Sequence, residues 1–188
     1  PVNAEATTGF GIVRLSDKGR VAGFIEKPQT PDLLRPFYTS TEFIETRGIV
    51  CNDRNYLASM GIYMFKKDVL LKLLQDPQDT DFGRDIFQKH YQRLKVQAHL
   101  FDGYWEDLGT IRSYHQACLD LARENPKFEF YHSTGPIYTR MRFLPSTRIC
   151  GATVKDSLIS DGCVVKSGTK LDHCSIGVRS IIGEKCEI

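Results

Sequence analysis

ATVKDSLISDGCVVKSGTKLDHCSIGVRSIIGEKCEI, residues 152–188, keeps a six-residue period to its end. One track reads Ala152, Leu158, Val164, Lys170, Ile176, Ile182 and Ile188, apolar everywhere except at Lys170. Two places ahead of each later member runs a second track, Asp156, Gly162, Gly168, Cys174, Ser180 and Cys186, small everywhere except at Asp156. Chance supplies an apolar track easily, so the coincidence of the two decides the reading. Apolar residues every sixth place with small residues between them are the mark of a parallel β-helix, in which each face contributes one short strand. The stretch GCVVKSGTK, residues 162–170, has the wrong glycine spacing for a phosphate loop and falls inside the repeat. The repeat spans about two three-sided coils, fewer than stacked units generally need. Its terminal coil is therefore expected to fray or to pair with another chain.

Upstream of the repeat, residues 125–148 form a connector punctuated by Asn125-Pro126, Gly135-Pro136 and Leu144-Pro145. Before it, Ile111, Tyr114, Cys118 and Leu121 lie at helical spacing, with Thr110 placed as the N-cap. That helix follows Tyr104-Trp105-Glu106-Asp107-Leu108-Gly109-Thr110, read as the floor of an active site. Asp107 offers the hard oxygen ligands that Mg2+ prefers, a cation that takes one or two carboxylates and leaves its other positions to phosphates and water. In an extended chain Trp105 would point the same way as Asp107, and its indole face suits a sugar ring. The plainer reading is a buried Trp and an Asp that only precedes a capped helix.

The chain opens with two strand-like runs, Gly9–Leu15 and Val21–Glu26, separated by Ser16-Asp17-Lys18-Gly19, a hairpin pattern. Glu26-Lys27-Pro28 ends the second strand, because proline cannot donate to a ladder and biases Lys27 toward an extended backbone. Two charges thus stand at a strand end, where sites are often built. Residues 29–55 read as a long irregular surface insertion. Tyr56–Phe65 is a near-continuous apolar run that fits a strand buried on both faces, in which the Ser59 hydroxyl either finds a backbone partner or serves a ligand that Gly61 would let approach closely. Helices are expected from Asp68, with Val69, Leu70, Leu73 and Leu74 inward, and after Asp81-Phe82-Gly83-Arg84-Asp85. A strand is expected over Val96–Phe101. Alternating strands and helices argue for an α/β layer with a largely parallel sheet.

Composition narrows the function classes. The chain has 188 residues, 41% hydrophobic and 26% charged, with net charge +2, which is ordinary globular material. Its Lys and Arg residues are scattered, so no basic stripe marks a nucleic-acid partner. No apolar run approaches the length of a membrane span and no signal-peptide pattern opens the chain, which reads as soluble and cytoplasmic. The six cysteines form no CxxC pair or His/Cys cluster, so they read as small buried hydrophobes in a reducing compartment. The chain opens at Pro1 without a methionine, as a piece of a longer polypeptide would.

GFGIVRLSDKGRVAGFIEKP, ASMGIYMF, DFGRDI, DGYWEDLGT and GPIYTRMRFLP, in that order and followed by the hexapeptide repeat, resemble the sugar-nucleotide pyrophosphorylases. Within them the chain is most similar to the glucose-1-phosphate adenylyltransferases. The resemblance implies part of a Rossmann-like nucleotidyltransferase domain over residues 1–124, a connector over 125–148 and part of a left-handed parallel β-helix over 149–188. It implies that Lys27 holds the phosphate of glucose 1-phosphate, that Glu26 and Ser59 bind glucose hydroxyls, and that Gly11 brings its backbone to the same ligand. Tyr63, Asp81, Phe82 and Trp105 would line the sugar pocket, and Asp107 would hold the metal. The reaction implied is adenylyl transfer from ATP to glucose 1-phosphate in glycogen or starch synthesis, by a tetramer under allosteric control. No Gly-rich, Arg-containing phosphate loop precedes Glu26, so these residues alone are expected to make no ADP-glucose. The rivals are a mannose-1-phosphate guanylyltransferase, a silent regulatory subunit of the same fold, and a hexapeptide acyltransferase.

Overall fold

Strands β1 (Gly11–Leu15) and β2 (Val21–Glu26) pair antiparallel, with Gly11 opposite Glu26. The turn between them closes as its residues require. Gly19 N–H donates to Ser16 O at 2.8 Å with Gly19 at φ +74°, a conformation that costs glycine little. Strand β3 (Leu57–Ala58) pairs antiparallel with the other edge of β1, giving the sheet order β2-β1-β3. Every pairing in this sheet is antiparallel, which corrects the expectation of a largely parallel one. A short turn can join only antiparallel neighbours, and the longer path to β3 returns to the same hairpin.

The computed structural model describes all residues from Pro1 to Ile188, in two compact units, Pro1–Asp102 and Gly103–Ile188. In the first, three segments differ from expectation. Residues 29–55 are an ordered element with two short helices, α1 (Pro31–Leu34) and α2 (Thr41–Glu45), the second capped by the Ser40 hydroxyl. Its apolar residues Ile44, Ile49 and Cys51 form a buried cluster, and Arg47 ties it to the hairpin through Asp17 O at 2.9 Å. The polar composition hid this small core. The run Tyr56–Phe65 pairs at β3 and through a bridge from Tyr56 to Val2, and its ladder ends there, because the Ser59 hydroxyl accepts from Gly61 N–H and Gly61 takes φ +70°, which turns the chain out of the sheet. Met64, beyond that turn, is 99% exposed. Residues 96–101 contribute a single bridge, Arg20↔Gln97, since they meet the hairpin only at its turn end.

Helix α3 (Lys67–Leu73) buries Leu73 as expected, while Leu74 stays exposed. A π-helical turn, Phe82–Phe87, then runs into α4 (Gln88–His90), with Asp81 as N-cap. The side chains of Ile12, Phe24, Leu57 and Ile86 are buried around this sheet. Each contributes on the order of 1.5–3 kcal/mol.

In the second unit, α5 (Ile111–Leu121) starts where the sequence places it. Thr110 Oγ1 accepts from Ser113 N–H at 3.0 Å, and Ser113 Oγ accepts from Thr110 N–H at 3.2 Å, a reciprocal capping box. The inward stripe is displaced: Ile111 and Tyr114 are exposed, and the less exposed apolar residues are Ala117, Cys118, Leu119, Leu121 and the buried Ala122.

From Arg148 onward the chain winds as a three-faced parallel coil. Strands β4 (Arg148–Ile149), β7 (Val164–Val165) and β10 (Ile181–Ile182) stack on one face. On the second face β5 (Thr153–Lys155) stacks on β8 (Lys170–Asp172), and on the third β6 (Leu158–Ile159) on β9 (Ser175–Ile176). Most partners lie 17 residues apart, as in Thr153↔Lys170 and Leu158↔Ser175. The left-handed corners repeat at that interval, at Gly151, Gly168 and Lys185, at Asp156 and His173, and at Gly162 and Arg179. One face per coil is therefore a residue shorter than a strict hexapeptide, and the two sequence tracks slip by one place. Val165 and Leu171 point inward instead of Val164 and Lys170, packed with Ala152, Ile159, Ile176 and Ile182. Lys170 is thus no defect in an apolar track. It lies outside and pairs with Glu187, one coil on, at 2.9 Å.

Candidate sugar-phosphate site

Three strands bring one row of residues to the same end of the first sheet. Gly11 opens β1 opposite Glu26, the last residue of β2. One place beyond the Ile12↔Ala58 pair, Ser59 N–H donates to Gly11 O at 2.7 Å. Glu26, Gly11 and Ser59 thus stand side by side. A Cβ on Gly11 would come within 2.8 Å of Glu26 Oε2 and 2.7 Å of the Phe24 ring. The absent side chain therefore leaves room for the carboxylate and the ring to lie against the strand.

The same carboxylate faces the start of the π-helical turn. A Cβ on Gly83 would lie 3.2 Å from Glu26 Oε2 and 3.4 Å from Asp81 Oδ1, so both acidic groups border that glycine. An aromatic cluster forms the adjoining wall. Tyr63 stacks with Phe82 at 6.2 Å between centroids, Phe87 lies 5.4 Å from Tyr63, and Phe24 meets Phe87 edge to face at 4.9 Å. The Tyr63 and Ser59 hydroxyls share a hydrogen bond of 3.3 Å. Carboxylates, paired hydroxyls and flat aromatic faces suit a polyhydroxylated ring, which presents O–H donors and a C–H face.

Lys27 follows Glu26 directly and corrects the expectation of an extended backbone. It takes φ +44°, held by its N–H donating to Phe10 O at 3.0 Å and by Gln29 Nε2 donating to its carbonyl at 2.7 Å. Pro28, fully buried behind it, anchors the bend. A non-glycine residue in this region is strained, a condition that clusters at ligand sites.

Gly11, Glu26, Lys27, Ser59, Tyr63, Asp81 and Phe82 all belong to the first unit, and Trp105 and Asp107 to the second. Trp105 lines an apolar groove of about 320 Å³ with Tyr104, Leu108, Phe128 and Phe130. Burial in that groove, with Glu106 and Asp120 nearby, pushes the Tyr104 phenol up from its ordinary value. Asp107 is exposed and is not among the residues that line the groove. Its carboxylate folds back toward Gly109, where a Cβ would meet Oδ2 at 3.0 Å. No group of three or more His, Cys, Asp or Glu side chains gathers in metal-holding geometry. A lone exposed carboxylate nonetheless fits a magnesium ion whose remaining ligands are phosphate and water oxygens. No helix is long and apolar enough to cross a membrane.

Residues the sequence reading passed over include Gly83, Asp85 and Phe87. Their signals were present as an Asp pair four residues apart at a helix start and an aromatic at the next turn, but only the packing gives them meaning.

Residues 1–124 match the family model described as nucleotidyl transferase. The chain belongs to that family. Residues 142–188 match the GLGC left-handed parallel beta-helix domain, so the stacked coil is left-handed. A nucleotidyltransferase domain of α/β type followed by this β-helix is the architecture of the glucose-1-phosphate adenylyltransferases, a sugar-nucleotidyltransferase reaction class. Enzymes of the nucleotidyl transferase family generally require a divalent cation.

Proposed function

We propose that this chain carries the sugar-phosphate side of an enzyme that transfers the adenylyl group of ATP to glucose 1-phosphate. The observation that supports it most is the row Glu26, Gly11 and Ser59 at one sheet end, with Lys27 beside it and Asp81 and Phe82 across from it. Glu26 and Asp81 accept from sugar hydroxyls, Ser59 and Tyr63 exchange hydrogen bonds with them, and Phe82 offers an apolar face. Lys27 pairs with the phosphate. A phosphate oxygen of glucose 1-phosphate attacks the α-phosphorus of ATP, the bond to the bridging oxygen of the β-phosphate breaks, and pyrophosphate leaves with that electron pair. Positioning and charge neutralisation carry such a step, and no covalent enzyme intermediate is needed. Magnesium, when bound, neutralises charge on the phosphates, and Asp107 is the carboxylate assigned to hold it. Trp105, in the second unit, is proposed to bind the sugar as well.

In this reading residues 1–124 are catalytic, 125–148 connect, and 149–188 begin a β-helix that supports a tetramer. The test compares nucleotide and sugar in the enzyme that carries this chain. Pyrophosphate release from ATP with glucose 1-phosphate is expected to exceed release from GTP with mannose 1-phosphate. The reverse order would move the assignment to a guanylyltransferase, and sugar-phosphate binding without turnover would move it to a regulatory subunit.

A further inference from the structure

We infer that Asp85 is a positioning residue for the sugar pocket, clamping the two peptide units that aim Asp81 and Phe82; this rests on the reading of those two as pocket residues. Its Oδ2 accepts from Thr80 N–H at 2.9 Å, from Thr80 Oγ1 at 3.2 Å and from Asp81 N–H at 3.0 Å. In the opposite direction Asp81 Oδ1 accepts from Arg84 N–H at 2.7 Å, while Asp81 O accepts from both Asp85 N–H and Ile86 N–H. The Asp85 carboxylate thus caps the backbone of Thr80 and Asp81, and the Asp81 carboxylate caps that of Arg84. Asp81 is held at φ −131°, ψ 129°, extended at the mouth of the turn, and the ring after it reaches Tyr63.

The clamp is continued along the chain. Asp79, whose side chain is 1% exposed, bonds Lys89 and lies 3.9 Å from His90. Asp85 and Lys89 therefore reach back together to hold residues 79–81 against the helix they begin. The Thr80 backbone N–H, foremost, keeps the Asp85 carboxyl below its ordinary range, opposed by some desolvation and helped by the remaining bonds and by Lys89. A folded-state value below the unfolded one means that the clamp is complete above the ordinary carboxylate range and opens only as pH falls through the lowered value.

The clamp bears on Asp81 and Phe82, and through the Phe82 ring on Tyr63. Gly11, Glu26 and Ser59 are placed by the sheet, so loss of Asp85 should free one wall and leave the other standing. That separation makes the role testable apart from global stability.

The test uses the 188-residue chain with Asp85→Ala and Asp85→Asn, read by amide hydrogen exchange and by calorimetric titration with glucose 1-phosphate. In Asp85→Ala the Thr80 and Asp81 amides are expected to exchange at least about tenfold faster, with affinity for glucose 1-phosphate down by roughly tenfold or more and β1–β2 amides unchanged. Asp85→Asn keeps an acceptor oxygen and is expected to recover most of the affinity. Freed Thr80 and Asp81 amides with wild-type affinity, in either variant, would overturn the inference while leaving the proposed function standing. If Asp85→Ala loses the β1–β2 protection as well, Asp85→Asn decides: a moderate loss of affinity tracking freed Thr80 and Asp81 amides supports the clamp. Wild-type protein that protects those amides but binds no sugar phosphate would overturn the proposed function and, with it, the assignment of Asp85 to a sugar pocket.

Discussion

Lys27 holds a cationic head on a backbone bent to φ +44° immediately before a proline, where an extended conformation is the easy one. The local rule lost to tertiary contacts: Phe10 O and Gln29 Nε2 fix the bend and Pro28 is buried behind it. If the head meets a phosphate, Lys27→Ala removes a charge-assisted bond of about 1.5–3 kcal/mol and weakens glucose 1-phosphate binding roughly tenfold to a hundredfold. Calorimetry with glucose 1-phosphate and with ATP checks it, and a change confined to ATP would place Lys27 on the nucleotide side. In the enzyme that carries this chain, Asp107→Asn keeps the shape and loses the charge, so turnover at limiting magnesium should fall by about a hundredfold or more while the melting temperature holds. Unchanged turnover would leave Asp107 a structural neighbour of the α5 cap. Glu-Lys-Pro and Ser59 stand out in the sequence as local signals, whereas Asp81 and Phe82 are assigned to the proposed site only through the family resemblance. Gly83 was not legible, because what it does depends on Glu26 arriving from another strand, and Asp85 was not, because its bonds to Thr80 and Asp81 exist only once the turn has formed.

The β-helix gave away its period and concealed its register. Small residues and apolar residues every sixth place were enough to identify the coil, but the chain returns to each face after 17 residues, and one short face per turn moves the inward position from Val164 to Val165 and from Lys170 to Leu171. Composition carries no marker for that missing residue; the left-handed corners do, at Gly168, His173 and Lys185. Gly168 is at φ +74°, and a Cβ there would meet Lys185 Cγ at 3.0 Å. Gly168→Ala should therefore cost about 1–2 kcal/mol, and Leu171→Ala, which empties a core position, about 2–5 kcal/mol. Urea unfolding of the coil measures both, and a neutral Leu171→Ala would mean that the six-residue track, with Lys170 inward, was the true one. The antiparallel sheet was half legible: the hairpin followed from its turn, whereas β3 shrank to two residues because a serine hydroxyl and a left-handed glycine redirected the run.

At the scale of the molecule, the two matched domains define the reaction class, and seven of the residues proposed for the sugar-phosphate site, Gly11, Glu26, Lys27, Ser59, Tyr63, Asp81 and Phe82, lie in the first unit. That unit also carries a pH-sensitive tie. The Arg54 guanidinium, 2.6 Å from Asp102, holds the Asp102 carboxyl below its usual range. Its stabilising share is present above the unfolded carboxylate value and is lost as pH falls through the lowered one. Asp102→Asn should therefore be less stable than wild type near neutrality, with the gap closing in acid, as denaturant titrations at stepped pH would record. A gap that stays constant with pH would assign the loss to packing instead of charge. The central claim, that one end of the first sheet binds a hexose 1-phosphate, is tested most directly by following backbone amide resonances while glucose 1-phosphate is titrated into the chain. The account predicts that Gly11, Glu26, Lys27, Ser59, Asp81 and Phe82 shift together on a single saturable curve. Shifts confined to other residues, or none at millimolar ligand, would contradict it.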